Sequence, residues 1–171
     1  MSSSENNNQT ARGDRQQNRF LSLENAKRIL KTTVVLSALL LSIWAVVLNQ
    51  ALEQLPGRKV IFTNGSTAHA KNVTKKLGIT HHFDATFDIV DCEFTPKPDL
   101  VVYKKMLSTF SINPKSAVMI EDMARNLVPA AALGITTVWV RTEEAWAVEG
   151  AGGDHIDHIV DDLTEWLNSI V

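Results

Sequence analysis

The sequence predicts an α/β fold in which a parallel sheet is covered by helices. Short, β-rich apolar runs recur along the chain, at KVIFT (59–63), AVMI (117–120) and TTVWV (136–140). They are continuous rather than alternating, as strands buried on both faces are. Each is followed by a polar turn, and stretches of helical spacing lie between them, the order that builds a parallel sheet. With 171 residues, 44% hydrophobic and 21% charged, the chain can bury a core.

The two ends of the chain differ in character. Residues 1–31 carry six Lys/Arg and three acids, a net +3, whereas the remaining 140 carry a net −5. Residues 1–20 contain almost nothing apolar, so residues 1–31 are expected to form a basic, polar, disordered tail. An uncharged run, Thr32 to Leu52, comes next and opens an apolar segment, 32–54. At about 1.5 Å per residue it just reaches the roughly 30 Å of a bilayer core. Two readings stand: a membrane anchor with its basic flank on the cytoplasmic side, or a core helix of a cytoplasmic domain. A cleaved signal peptide fits poorly, because the apolar stretch starts too deep and no small-residue cleavage site follows.

The domain proper is expected at 55–171. Its first strand, within Lys59–Thr63, meets the turn Asn64-Gly65-Ser66, and a helix over Ala68–Leu77 stops at Gly78. Phe87–Val90 is a second strand. Beyond Pro96 and Pro98, residues Leu100, Tyr103, Met106, Leu107 and Phe110 share one face of a helix over Asp99–Phe110. A strand at Ala117–Ile120 ends in Glu121-Asp122, a helix over Leu127–Leu133 closes at Gly134, and Leu163–Ile170 is a terminal helix.

In an open parallel sheet, ligands bind beyond the carboxyl ends of the strands. Three polar groups fall there. Thr63-Asn64 offers a hydroxyl and backbone N–H groups to an anion, and Glu121-Asp122 pairs carboxylates that a hard cation such as Mg²⁺ would neutralise. Lys97 stands between two prolines that fix where its charge is presented, which suits phosphate. Singly, each has a plainer reading: an N-cap, a solvated acidic loop, a surface lysine. Their order and spacing, with Lys97 34 residues after Thr63 and Glu121-Asp122 24 and 25 residues further on, join them.

Those residues resemble the haloacid dehalogenase-like hydrolase superfamily of Mg²⁺-dependent phosphatases. VIFTNGS (Val60–Ser66) resembles its second motif, Lys97-Pro98-Asp99 its third, and VMIEDMARNL (Val118–Leu127) its fourth. Arg125-Asn126 and LPGRKVIFTNGSTAHA bring the pyrimidine 5′-nucleotidase branch nearest. The resemblance implies a three-layer, Rossmann-like α/β/α fold and a small phosphorylated substrate, with a pyrimidine nucleoside 5′-monophosphate the branch-level expectation. It further implies that Thr63 and Asn64 hold phosphoryl oxygens, that Lys97 neutralises charge, and that Glu121 and Asp122 place Mg²⁺.

One departure is large. In that family an Asp-x-Asp motif at the end of a central first strand supplies the nucleophile. Before Arg58 the acids are Glu5, Asp14, Glu24 and Glu53, and none follows an apolar strand. No nucleophile is visible, and the first strand and cap are read as absent or replaced by residues 1–46. An empty central slot would leave unpaired backbone groups that cost on the order of 1–3 kcal/mol each. The expectation is therefore a phosphohydrolase impaired by itself; a non-catalytic phosphate- and Mg²⁺-binding remnant and a membrane-tethered interaction protein stand as alternatives.

The remaining residues read plainly. His81-His82 could ligate a metal but beside Phe83 suits a loop edge better, and His155 and His158 among their acids resemble a metal cluster by composition but suit a solvated turn better. Trp139, Trp146 and Trp166 suit packing, and no basic stripe accompanies them, so no nucleic-acid partner is expected. The single Cys92 excludes a disulfide framework and a cysteine-rich zinc site, and has no base beside it.

Overall fold

The computed structural model describes residue 31 and residues 44–171. Readings that fall on 1–30 and 32–43, including most of the tail and much of the apolar run, lie outside the described residues. The chain divides into two compact units, Met1–Trp44 and Ala45–Val171, and the fold below is that of the second.

Helix α1 covers residues 44–54. It is amphipathic: Ala51 and Leu52 are buried with Ile79 and Leu167, and Leu48, Leu55, Phe83, Leu163 and Trp166 pack around them. This part of the apolar run is therefore a core helix. Among the described residues no helix is long and apolar enough to cross a membrane.

Five strands and four more helices follow in order: β1 (Val60–Phe62), α2 (Thr67–Leu77), β2 (Ala85–Phe87), α3 (Leu100–Thr109), β3 (Val118–Glu121), α4 (Leu127–Ala132), β4 (Thr136–Val140), β5 (His158–Val160) and α5 (Leu163–Ser169). Short 3₁₀ turns stand at Thr80–His82, Pro114–Ser116 and Ala124–Asn126. Side-chain caps set several helix starts: Ser66 accepts from His69 N–H, Asp99 from Val101 N–H, and Asp162 from Thr164 and Glu165 N–H. Gly78, with φ +72°, ends α2 in a left-handed turn that a side chain would resist.

All strand pairs are parallel, but they form two sheets: β1 with β2, and β3 with β4 and β5. Among the described residues β1 and β3 do not pair with each other. One core spans both sheets: Phe87, Val102, Tyr103, Met106, Leu107 and Ile135 are buried together, with Phe62 of β1 and Met119 of β3 packed against them. The Tyr103 ring meets Phe62 edge-on at 5.1 Å, and its hydroxyl donates to the Asn126 carbonyl at 2.6 Å. Helix α3 thus ties the two sheets together.

Three readings change. The second strand is Ala85–Phe87 rather than Phe87–Val90, because Asp88 turns the chain by accepting from the N–H groups of Val90 and Asp91. His158 lies in a strand, not a solvated turn; Asp157 before it accepts from the N–H and hydroxyl of Thr137 and joins β5 to β4. Trp146 is half-exposed rather than a packing residue, whereas Trp139 is buried and donates to the Asp122 carbonyl.

Candidate functional site

The site grows from the carboxyl ends of β1 and β3. After Phe62 the chain leaves the strand at Thr63, whose N–H still donates to the Phe87 carbonyl of β2. The Thr63 hydroxyl accepts from Gly65 N–H at 2.9 Å, which folds the turn tightly and leaves the hydroxyl proton to donate outward. Asp88, at the end of β2, buttresses this turn by accepting from the N–H and hydroxyl of Thr67 at 2.8 and 2.7 Å. Those bonds, the Thr67 hydroxyl foremost, hold its carboxyl down at about 2.

Asn64 clamps the second loop onto the first. Its side-chain oxygen accepts from Lys97 N–H at 2.8 Å, and its amide donates to the Lys97 carbonyl at 3.2 Å. The residue expected to hold phosphoryl oxygens is thus largely occupied in positioning Lys97, and one amide proton is left over.

Lys97 is the hinge of the arrangement. Its side chain is 6% exposed, and its ammonium donates to the Phe62 carbonyl at 3.0 Å and to Glu121 at 2.7 Å. It also stands 5.0 Å from the Phe62 ring centre. One ammonium therefore bridges the last carbonyl of β1 and the last carboxylate of β3. Glu121 receives a second bond, from the Asn126 amide at 2.8 Å. Both of its oxygens are engaged, so it serves first as the partner of Lys97.

Asp122, the next residue, is exposed, and among the described residues its carboxylate has no partner. The donor chemistry fits a hard cation. Asp122 presents free carboxylate oxygens, and Asn126, buried beside Glu121, keeps an amide oxygen with no hydrogen-bond partner. Asn126 entered the sequence reading only in the Arg125-Asn126 pair that marks the branch, not as a site residue, and Asp88 was not singled out. A polar residue five positions after Glu121, on the first turn into a helix, is the signal that points to Asn126.

The predicted residues thus converge. Thr63, Asn64, Lys97, Glu121 and Asp122 occupy one rim, where β1 and β3 end. Cys92 lies apart from this chemistry; it is buried, and burial raises its thiol above the ordinary range.

A parallel α/β core with a polar cluster at the carboxyl ends of its strands defines the class: an α/β protein with its site at the strand ends. Residues 47–140 match the family described as haloacid dehalogenase-like hydrolase, and the chain belongs to that family. Solved structures share the fold. A haloacid dehalogenase-family phosphatase from Thermococcus onnurineus superposes with a TM-score of 0.56 at 21% identity, over 71% of this chain and 54% of that one. A predicted phosphoglycolate phosphatase from Haemophilus somnus gives 0.55 at 19%, over 71% and 55%. The L-2-haloacid dehalogenase from Xanthobacter autotrophicus, with chloropropionic acid covalently bound, gives 0.56 at 20%, over 71% and 58%. The chain spans about half the length of these structures. No curated protein matches significantly.

Proposed function

We propose that this chain is a Mg²⁺-dependent phosphohydrolase for a small phosphate ester, with a pyrimidine nucleoside 5′-monophosphate as the first candidate, and that by itself it turns over slowly. The observation that carries this reading is the convergence of Thr63, Lys97, Glu121 and Asp122 around the carboxyl ends of β1 and β3. The Thr63 hydroxyl donates to a phosphoryl oxygen. Asn64 holds the Lys97 loop in place, and Lys97 supplies positive charge from a side chain that is itself largely shielded from water, where charge counts for more. Asp122, with the unpartnered oxygen of Asn126, would hold Mg²⁺, which when bound neutralises the phosphate's negative charge.

The slowness has a physical basis. Displacement at phosphorus needs an attacking group, and among the described residues the carboxylate at the Lys97 ammonium is Glu121, already held by two donors. Positioning and electrostatics remain; the nucleophile is not among these residues. This same pairing favours the second reading, a phosphate- and Mg²⁺-binding protein without turnover.

The test is phosphate release from a chromogenic phosphate and from uridine 5′-monophosphate across a Mg²⁺ titration. Slow, Mg²⁺-dependent release that Asp122→Asn abolishes is the expected result. A rise in melting temperature with Mg²⁺ and phosphate, but no release, establishes the second reading. Neither release nor stabilisation would overturn both.

A further inference from the structure

A second cluster lies away from the strand ends, where α1 meets the turn that follows α2. Glu53 comes from α1, and His81 and His82 from the 3₁₀ turn Thr80–His82. One ligand atom from each lies within 4.8 Å of the others. The turn is held by its own bonds: His82 N–H donates to the Ile79 carbonyl, and Phe83 N–H to that of Thr80. Ile79 and Phe83, on either side, are packed against α1, so helix and turn are docked through apolar contacts.

The side-chain hydrogen bond of His82 fixes which ring nitrogen is turned toward Glu53. Its Nε2 lies 2.9 Å from the side-chain oxygen of Asn49, one turn before Glu53 on α1. An amide oxygen only accepts, so Nε2 carries the proton, and in the neutral ring Nδ1 is a bare lone pair. That lone pair faces the Glu53 carboxylate at 3.5 Å. That spacing matches a shared metal: two donors each about 2.0–2.1 Å from a tetrahedral zinc lie about 3.4 Å apart.

We propose that Glu53, His81 and His82 form a three-ligand site for Zn²⁺, with Asn49 orienting His82 from behind. The site pairs a fixed ligand with two adaptable ones. The His82 side chain is 4% exposed and anchored by Asn49, while the Glu53 side chain is 72% exposed and His81 is also at the surface. The His81 ring stands 4.0 Å from that of His82, so a rotation of the exposed ring brings its nitrogen to the metal. The Lys59 ammonium is taken up by the Leu55 carbonyl at 2.7 Å. Three protein ligands leave a fourth position for water. Imidazole with a carboxylate suits Zn²⁺ better than Mg²⁺, so this site and the strand-end site call for different ions.

The experiment is titration of the full-length chain with zinc chloride, followed by calorimetry and by thermal melting, with Co²⁺ as a spectroscopic probe of coordination. One equivalent bound, a higher melting temperature and an intense tetrahedral Co²⁺ spectrum are expected. Both His81→Ala and Glu53→Gln change exposed residues; each should weaken Zn²⁺ binding at least tenfold, and Asn49→Leu should weaken it without removing a ligand. Zinc binding of unchanged affinity in the His81→Ala/Glu53→Gln double variant would place the ion elsewhere and overturn the proposal, as would absence of binding to the unaltered chain. Magnesium should leave this signal unmoved.

Discussion

At the scale of single residues, Lys97 and Asp88 hold the site together, and both act through charge placed where water is scarce. Lys97 and Glu121 have side chains 6% and 10% exposed, so each is the other's compensation. Breaking such a pair by removing one partner leaves an uncompensated buried charge and costs about 3–5 kcal/mol. Lys97→Met should lower unfolding stability by that amount in urea titration, whereas a double Lys97→Met/Glu121→Gln change should recover part of it. If the single variant is as stable as the parent, the pair is not the strut described above. Asp88 carries a pH signature. Its carboxyl is held near 2, below the ordinary carboxylate value of about 3.9, by the Thr67 hydroxyl first and by three backbone N–H groups. A group depressed in the folded state contributes stability that is complete above about pH 4 and is lost as pH falls toward 2. Acid melting of Asp88→Asn should therefore be flatter than that of the parent across this window and lower in melting temperature above it. Identical acid limbs would show that the Asp88 bonds carry no net stability.

At the scale of elements, packing explains which parts of the fold were legible in the sequence. Strands β1, β3 and β4 and helices α2 to α5 follow from apolar runs and caps that act locally, and they stand within a residue or two of their expected places. Strand β5 was missed because His158-Ile159-Val160 is three residues long and its placement depends on Asp157 reaching Thr137, twenty positions away. Strand β2 was misplaced because Asp88 ends it, a side-chain effect invisible to hydrophobic pattern. The same holds for the site. Thr63, Lys97 and Glu121-Asp122 were legible from motif and spacing, but the grip of Asn64 on the Lys97 backbone and the capture of Glu121 by Lys97 are products of the tertiary fold. The meeting of Glu53 with His81 and His82, 28 and 29 residues on, depends on how α1 docks. That docking is itself testable. Leu167 of α5 is 1% exposed and buries against Ala51 and Leu52 of α1. Leu167→Ala should cost about 2–5 kcal/mol, read from chemical denaturation, and a cost well under 1 kcal/mol would mean that α1 does not pack there as described. Tyr103→Phe removes the hydroxyl that reaches the buried Asn126 carbonyl and should cost about 1–2 kcal/mol, a smaller loss because the ring packing stays.

At the scale of the whole molecule, the two sheets raise a question of edges. Strand hydrogen bonds alternate in direction, so the bonds that are made identify those that are not. Thr136 N–H donates to the Ala117 carbonyl, and the register sets Val118 opposite Thr136. The N–H groups of Met119 and Glu121 therefore turn toward β4, and those of Val118 and Ile120 point away from it. On β1, Thr63 N–H donates to Phe87, so the N–H groups of Val60 and Phe62 face away from β2. Among the described residues these outward groups have no strand to pair with, although the Lys97 ammonium joins the ends of the two strands. Val118 and Ile120 are also 57% and 37% exposed, unusual for β-branched residues within a core sheet. Hydrogen exchange reads this directly. Amides of Val118 and Ile120 should exchange orders of magnitude faster than that of Val138, which lies in the central strand of its sheet and is fully buried. Protection of Ile120 equal to that of Val138 would show a further strand lying between β1 and β3. An acidic residue carried in on such a strand would reach the Lys97 ammonium and supply the attacking carboxylate that the described residues do not place there, so fast exchange together with slow phosphate release, or strong protection together with rapid release, is the pairing the chemistry requires.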